Sequence, residues 1–171
     1  MKNSTFREPT AEKLADFIKA TWKEISHLIK RTEELAVELQ SRSHEFVLCH
    51  TDVHGANLLI TGDNQFYIVD WDAPLLAPKE RDLMFVGGGI DTLWASERDK
   101  SLFYEGYGNV RIDLPVMAYY RYERVIEDLV AYGEQLLLTD EGGADRDQAY
   151  RRFISNFEPG STIEIADRTL L

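Results

Sequence analysis

The chain has 171 residues, 44% of them apolar and 11% aromatic, enough to bury the core of one domain. Thirty acidic against 19 basic side chains give a formal charge of -11, which argues against nucleic acid or an anionic membrane as the main partner and suits a small cationic ligand. No run approaches the roughly 18 apolar residues of a membrane span, no secretion-type apolar segment follows Met1, and the single cysteine, Cys49, has no intrachain partner, so the cytoplasm is the expected compartment.

In chain order, residues 1–45 read as a helical leader. Leu14, Phe17, Ile18, Trp22, Ile25, Leu28, Ile29, Leu35, Ala36 and Leu39 follow a 3.6-residue period, with Thr10 as the expected cap and a break expected near Lys30 to Thr32. Residues 46–72 are punctuated like a small sheet: a short strand from Phe46 to Cys49, then two β-type runs, Leu58 to Thr61 and Gln65 to Asp70, joined by a Gly62-Asp63-Asn64 hairpin turn. Residues 73–160 are expected to be a helical subdomain, with helices over Glu80 to Val86, Thr92 to Tyr104, Leu114 to Leu138 and Ala144 to Phe157. Gly87-Gly88-Gly89 lacks the strand before it and the Lys after it that a phosphate loop needs, and reads as a chain reversal. The tail, 161–171, is expected to be an edge strand or loose.

The informative motif is His50-Thr51-Asp52-Val53-His54-Gly55-Ala56-Asn57, followed by Asp70-Trp71-Asp72 at the end of an apolar run. Phosphoryl transfer from a metal-bound nucleotide needs one carboxylate at the acceptor hydroxyl, and an amide and a second carboxylate on Mg²⁺. Asp52 has the position of a general base or hydroxyl-orienting group. Asn57 and Asp70 offer the hard oxygen ligands that Mg²⁺ prefers, and Asp72 could reach a second metal ion. His50 is expected to brace the loop by bonding backbone near Asp70. Cys49 lies in an apolar run and is expected to be a buried spectator rather than a nucleophile. Two other classes stay open on the residues alone. His50, Asp52 and His54 alternate as in a metal hydrolase that Asp70 or Asp72 could complete, although only four His are present. A non-catalytic binding module, or a remnant of a split kinase, is the other.

The stretch His-Thr-Asp-Val-His-Gly-Ala-Asn-Leu-Leu, with Ile-Val-Asp-Trp-Asp and Arg81-Asp82-Leu83, resembles the C-terminal lobe of the aminoglycoside phosphotransferase and choline kinase-like family, relatives of protein kinases. Arg-Asp-Leu-Met-Phe-Val-Gly-Gly-Gly and Tyr-Arg-Tyr-Glu-Arg-Val-Ile-Glu-Asp-Leu bring the resemblance nearest to antibiotic kinases of the spectinomycin type. It implies an α+β, mostly helical domain with a protein kinase-like fold, Asp52 as the catalytic aspartate, and Asn57 and Asp70 on Mg²⁺. The complete enzyme would move the γ-phosphoryl group of ATP or GTP to a hydroxyl of a small cationic acceptor. Thr51 stands where protein kinases carry an Arg that pairs with a phosphorylated loop, and His54 where they carry a Lys that meets the phosphoryl group. Only 49 residues precede His50 and most read as helix, so the nucleotide-binding lobe, with its Gly-rich loop and strand Lys, is expected to be absent. This chain alone is then expected to be inactive, and either to self-associate or to accept the missing lobe in trans. Arg121, Glu123, Arg124, Glu127 and Asp128 read as i,i+4 pairs on a solvated helix face, some of whose acidic members the resemblance would place in an acceptor pocket.

Overall fold

The computed structural model describes residues 8–86, 96–139, 142–143 and 145–171. The Gly87-Gly88-Gly89 reversal and the first residues of the helix expected from Thr92 lie outside them.

Seven helices and two small two-stranded ladders follow one another among the described residues. Helix α1 (Pro9–Ala20) is capped by the Glu8 carboxylate, which accepts the backbone N–H groups of Thr10 and Ala11, with Pro9 in the first turn where no donor is needed. Thr10 is therefore not the cap: it sits inside the helix and its hydroxyl donates to Asp147. The break expected near Lys30 falls instead at Thr21, whose backbone N–H and hydroxyl both bond the Phe17 carbonyl. The chain then restarts as α2 (Trp22–Gln40). The apolar period runs across this corner without interruption, which hides it from a periodicity argument, and Trp22, counted with the apolar face, is 58% exposed.

The longest helix, α5 (Leu114–Leu137), is the axis of the molecule, and α1, α2, α6 (Asp145–Ser155) and α7 (Thr162–Arg168) all pack on it. Leu14, Leu28, Leu35, Tyr122, Val125, Leu136 and Phe153 form the core between them. Each such side chain contributes about 1.5–3 kcal/mol relative to leaving it in water. The end of α5 is fastened by Arg146, which donates to the Gln135, Leu136 and Thr139 carbonyls and pairs with Glu8, so one guanidinium joins the last turn of α5 to the cap of α1. The tail is neither edge strand nor loose: α7 buries Ala166 and is pinned by Tyr122 Oη to Asp167 at 2.6 Å.

The strands lie beside this bundle. β1 (Val47–Cys49) pairs antiparallel with β4 (Leu75–Ala77), Cys49 opposite Leu75, and β2 (Leu58–Ile60) forms the expected hairpin with β3 (Phe66–Ile68) around Asn64, whose φ is 60°. β4 adds a short strand at the start of 73–160, ahead of the helices expected from Glu80. Three residues between Pro74 and Pro78 carry too little alternation to register as a strand. α3 (Glu80–Leu83) is a single turn rather than a helix to Val86, and α4 (Glu97–Tyr107) runs three residues past its expected end. No helix among the described residues is long and apolar enough to cross a membrane.

Candidate active site

The loop after β1 is fixed before it reaches Asp52. The Asp82 carboxylate accepts the backbone N–H groups of His50 at 2.8 Å and Thr51 at 2.7 Å, and Thr51 Oγ1 donates to the Ala73 carbonyl. These bonds hold Thr51 at φ 77°, a left-handed conformation that a β-branched residue adopts only when its surroundings impose it. His50 is 2% exposed. Its Nδ1 accepts the Asp52 N–H, so its proton is on Nε2 and donates to the Val69 carbonyl at 2.8 Å. This is the brace near Asp70 that the motif led us to expect, and both ring nitrogens are used in making it.

Asp52 stands at the meeting point of three chain segments. His54 accepts the Ala56 N–H on Nδ1 and turns Nε2 to Asp52 Oδ2 at 3.3 Å. Asn57, in the single 3₁₀ turn after His54, donates from Nδ2 to the Asp52 carbonyl at 2.9 Å and to Oδ2 at 3.2 Å. The third arm comes from α5: Arg124 Nη1 donates to Asp52 Oδ1 at 3.0 Å. The Arg124 guanidinium also lies over the Phe85 ring, 5.8 Å from its centre. Its Nε is 3.2 Å from Asp128 Oδ1, yet this buried N–H is not aligned with the carboxylate and makes no hydrogen bond. Burial acts against the charge on Arg124, but the carboxylates of Asp128, Asp52 and Glu127 outweigh it and raise its pKa. Burial pushes the Asp128 carboxyl above its usual range, with Arg124 offsetting part of the shift.

The other acidic positions face solvent. The Val69 N–H donates to the Asn57 carbonyl at 3.0 Å, so the end of β3 is tied to the residue that touches Asp52, and Asp70 follows at once with φ 68°. Asp70 and Asp72 are both exposed. The Asn57 amide oxygen takes no partner among the described residues, its amide nitrogen being the atom bonded to Asp52. No three His, Cys, Asp or Glu side chains converge as a metal site among the described residues. With His50 committed at both nitrogens, the hydrolase alternative loses its first ligand. Cys49 is buried against the Ala77 and Pro78 carbonyls, and burial pushes its thiol up to about 11, which leaves it inert.

A cavity of about 560 Å³ opens beside this constellation, lined among others by His54, Arg124, Asp128, Tyr132, Asn156 and Glu158.

Residues 3–145 match the phosphotransferase enzyme family. The chain belongs to that family. Two solved structures of spectinomycin phosphotransferase APH(9)-Ia are similar to it. The complex with ADP and spectinomycin has 34% identity and a TM-score of 0.87 over 99% of this chain and 51% of that one. The AMP-bound complex has 35% identity and a TM-score of 0.84 over 100% and 52%. The choline kinase LicA from Streptococcus pneumoniae, at 12% identity and a TM-score of 0.56 over 98% of this chain and 57% of that one, shares the fold. This phosphotransferase-family chain thus spans about half the length of these solved relatives and is a mostly helical, kinase-like lobe.

Of the sequence-predicted site residues, the fold hydrogen-bonds Asn57 to Asp52 and sets His54 3.3 Å from the same carboxylate, with His50 as the brace of the loop and Asp70 one residue beyond the backbone tie. It does not bring Asp72 to that carboxylate. Arg124 was missed as a site residue: its i+4 partner Asp128 was legible on the helix, whereas Asp52 lies 72 positions away and nothing local points to it.

Proposed function

We propose that this chain is the acceptor- and metal-binding half of a small-molecule phosphotransferase that moves the γ-phosphoryl group of ATP or GTP to a hydroxyl of a small cationic acceptor. The carrying observation is the Asp52 carboxylate, contacted by His54, Asn57 and Arg124, of which His54 and Arg124 also line a ligand-sized cavity beside it. Fixed this way, Asp52 accepts a hydrogen bond from the acceptor hydroxyl, aligns its oxygen for in-line attack, and takes its proton as the new O–P bond forms and the bond from the γ-phosphorus to the β,γ-bridging oxygen breaks, releasing the nucleoside diphosphate. The donor set suits Mg²⁺: the unused Asn57 amide oxygen and the exposed Asp70 carboxylate are hard ligands that leave positions for phosphate oxygens and water. Asp72 is the candidate for a second ion. When bound, Mg²⁺ neutralises charge on the nucleotide phosphates. The ADP, AMP and spectinomycin of the related structures support a nucleotide and a hydroxyl-bearing acceptor here.

The groups that would grip the β- and γ-phosphates belong, in this reading, to a nucleotide-binding half outside these residues, docking on the apolar strand faces. Each transition-state contact of that kind is worth about 3–4 kcal/mol, so the chain alone is expected to be inactive. The test is a radiolabelled ATP and GTP assay of the 171-residue chain, alone and with the nucleotide-binding half of a spectinomycin phosphotransferase as a separate chain. Acceptors are spectinomycin, aminoglycosides and choline. Mg²⁺-dependent labelling is expected only in the mixture, and is expected to vanish with Asp52→Ala. Labelling by the chain alone would overturn the division of labour, and labelling that survives Asp52→Ala would overturn the role of Asp52.

A further inference from the structure

Among the described residues of the helical core, Arg124 is the one that hydrogen-bonds Asp52, and its second carboxylate contact, to Asp128, has no part in the chemistry above. A carboxylate offers about four lone-pair sites. Two are filled in Asp52, one on Oδ1 by Arg124 Nη1 at 3.0 Å and one on Oδ2 by Asn57 Nδ2 at 3.2 Å, while His54 Nε2 lies 3.3 Å from Oδ2 at ion-pair distance. Arg124 and His54 also line the cavity of about 560 Å³, together with Asp128 on α5 and Glu158 in the segment before α7.

We propose that Arg124 is the positioning residue for Asp52: it fixes the orientation of the carboxylate that meets the acceptor hydroxyl, and through Asp128 it makes that orientation respond to a cation in the cavity. This rests on the reading of Asp52 as the group that accepts the hydroxyl. The geometry around Arg124 carries the second half. Its guanidinium is shared between two carboxylates, bonded to Asp52 through Nη1 while its buried Nε–H lies beside Asp128 without an aligned bond. Phe85, 1% exposed, supports its face and limits how far it can move. Asp128 is thereby a part-buried carboxylate, its side chain 29% exposed, with an incomplete partner. A ligand ammonium that pairs with Asp128 removes Arg124's competing attraction and leaves the guanidinium to Asp52. The ligand this selects is a compact polyol with an ammonium group close to the reacting hydroxyl, of a size that a cavity of this volume accommodates. A neutral polyol of the same size lacks the group that engages Asp128.

The experiment is an amide NMR titration of the 171-residue chain, with spectinomycin as the cationic hydroxylated probe and myo-inositol as the neutral one. In the wild type, spectinomycin is expected to shift the α5 amides around Asp128 and also those of Asp52 and Asn57, and myo-inositol to shift neither at the same concentration. Asp128→Asn should weaken spectinomycin binding by about tenfold, as expected for loss of a charge-assisted contact. In Arg124→Met the α5 response should persist while the Asp52 and Asn57 responses disappear, a separation of binding from coupling that mere loosening of the fold does not produce. Arg124→Lys, with a point charge that cannot serve both carboxylates, should give an intermediate response, and it carries the test if the methionine variant does not fold. Undiminished Asp52 and Asn57 responses in the Arg124 variants would overturn the inference while leaving the phosphotransferase reading intact, since that reading is judged separately by the labelled-nucleotide assay. Equal responses to the two probes, or no α5 response to spectinomycin in the wild type, would overturn it as well.

Discussion

The bundle around α5 and the strand segment 46–77 treat their apolar side chains in opposite ways. Leu14, Val125, Leu136 and Phe153 are at most 2% exposed, whereas Leu48, Ile60, Phe66 and Leu76 are 58–73% exposed. The bundle is therefore held by burial, which is strong and non-directional. The strand segment is held to it by a few directional polar bonds, Asp82 to His50 and Thr51 and Arg124 to Asp52, and is braced within itself by His50 to Val69. Such bonds fix orientation better than apolar packing does, and orientation is what the Asp52 loop requires. The apolar strand faces, left without a covering layer among the described residues, are a surface suited to association.

The comparison can be broken most severely in the core. Phe153→Ala should destabilise the chain by about 3–5 kcal/mol in urea denaturation, yet leave the amide shifts of Asp52 and Asn57 in the surviving native state unchanged. Shifts at those amides would mean that packing, and not polar bonding, sets the site.

Asp82→Ala attacks the other region. It strands two backbone donors, at a cost of about 1–3 kcal/mol each if they stay buried, and hydrogen exchange at His50 and Thr51 should accelerate far more than at α5. Equal acceleration in both regions would show them to be one cooperative unit.

A smaller effect, about 1 kcal/mol, is expected from the α1 cap. The Thr10 N–H bond, aided by Ala11 and Arg146 and opposed by partial burial, lowers the Glu8 pKa from 4.5 to about 2. A carboxylate depressed on folding contributes its full stability above its unfolded value and loses it as the pH falls through the folded one. The stability gap between wild type and Glu8→Gln should therefore be constant above about pH 4.5 and close toward pH 2, as followed by urea denaturation at each pH. A gap independent of pH would remove Glu8 from the account.

The smallest effect on stability should come from the exposed strands. Leu48→Ser with Leu76→Ser is expected to change it by less than about 0.5 kcal/mol per site, while reducing any self-association seen by sedimentation velocity.

What could be read from the sequence divides along the same line. The helix over 114–138, the hairpin about Gly62 to Asn64 and the His50 brace were legible, because periodicity, turn residues and motif offsets are local signals. The corner at Thr21 was not, since one hydroxyl bond makes it without disturbing the apolar period. Three-residue β4 and seven-residue α7 are too short for a period to establish itself. The Arg124–Asp52 pair is a product of tertiary packing, and on the helix alone Arg124 looks like any residue with an acidic neighbour at i+4.

The Asp82 clasp has a consequence for how this chain could be lengthened. By gripping His50 and Thr51, it brings together the two ends of the excursion that carries Asp52, the hairpin and Asp70, independently of how much chain lies between. Doubling a closed flexible loop costs only about 0.6 kcal/mol. The hairpin tip at Gly62 to Asn64 is exposed, and the Asn57–Val69 tie separates it from Asp52 and Asp70. A peptide tag or a small reporter domain spliced into that tip should leave the reactive end undisturbed, which makes it the natural insertion point for a probe that reports on this lobe.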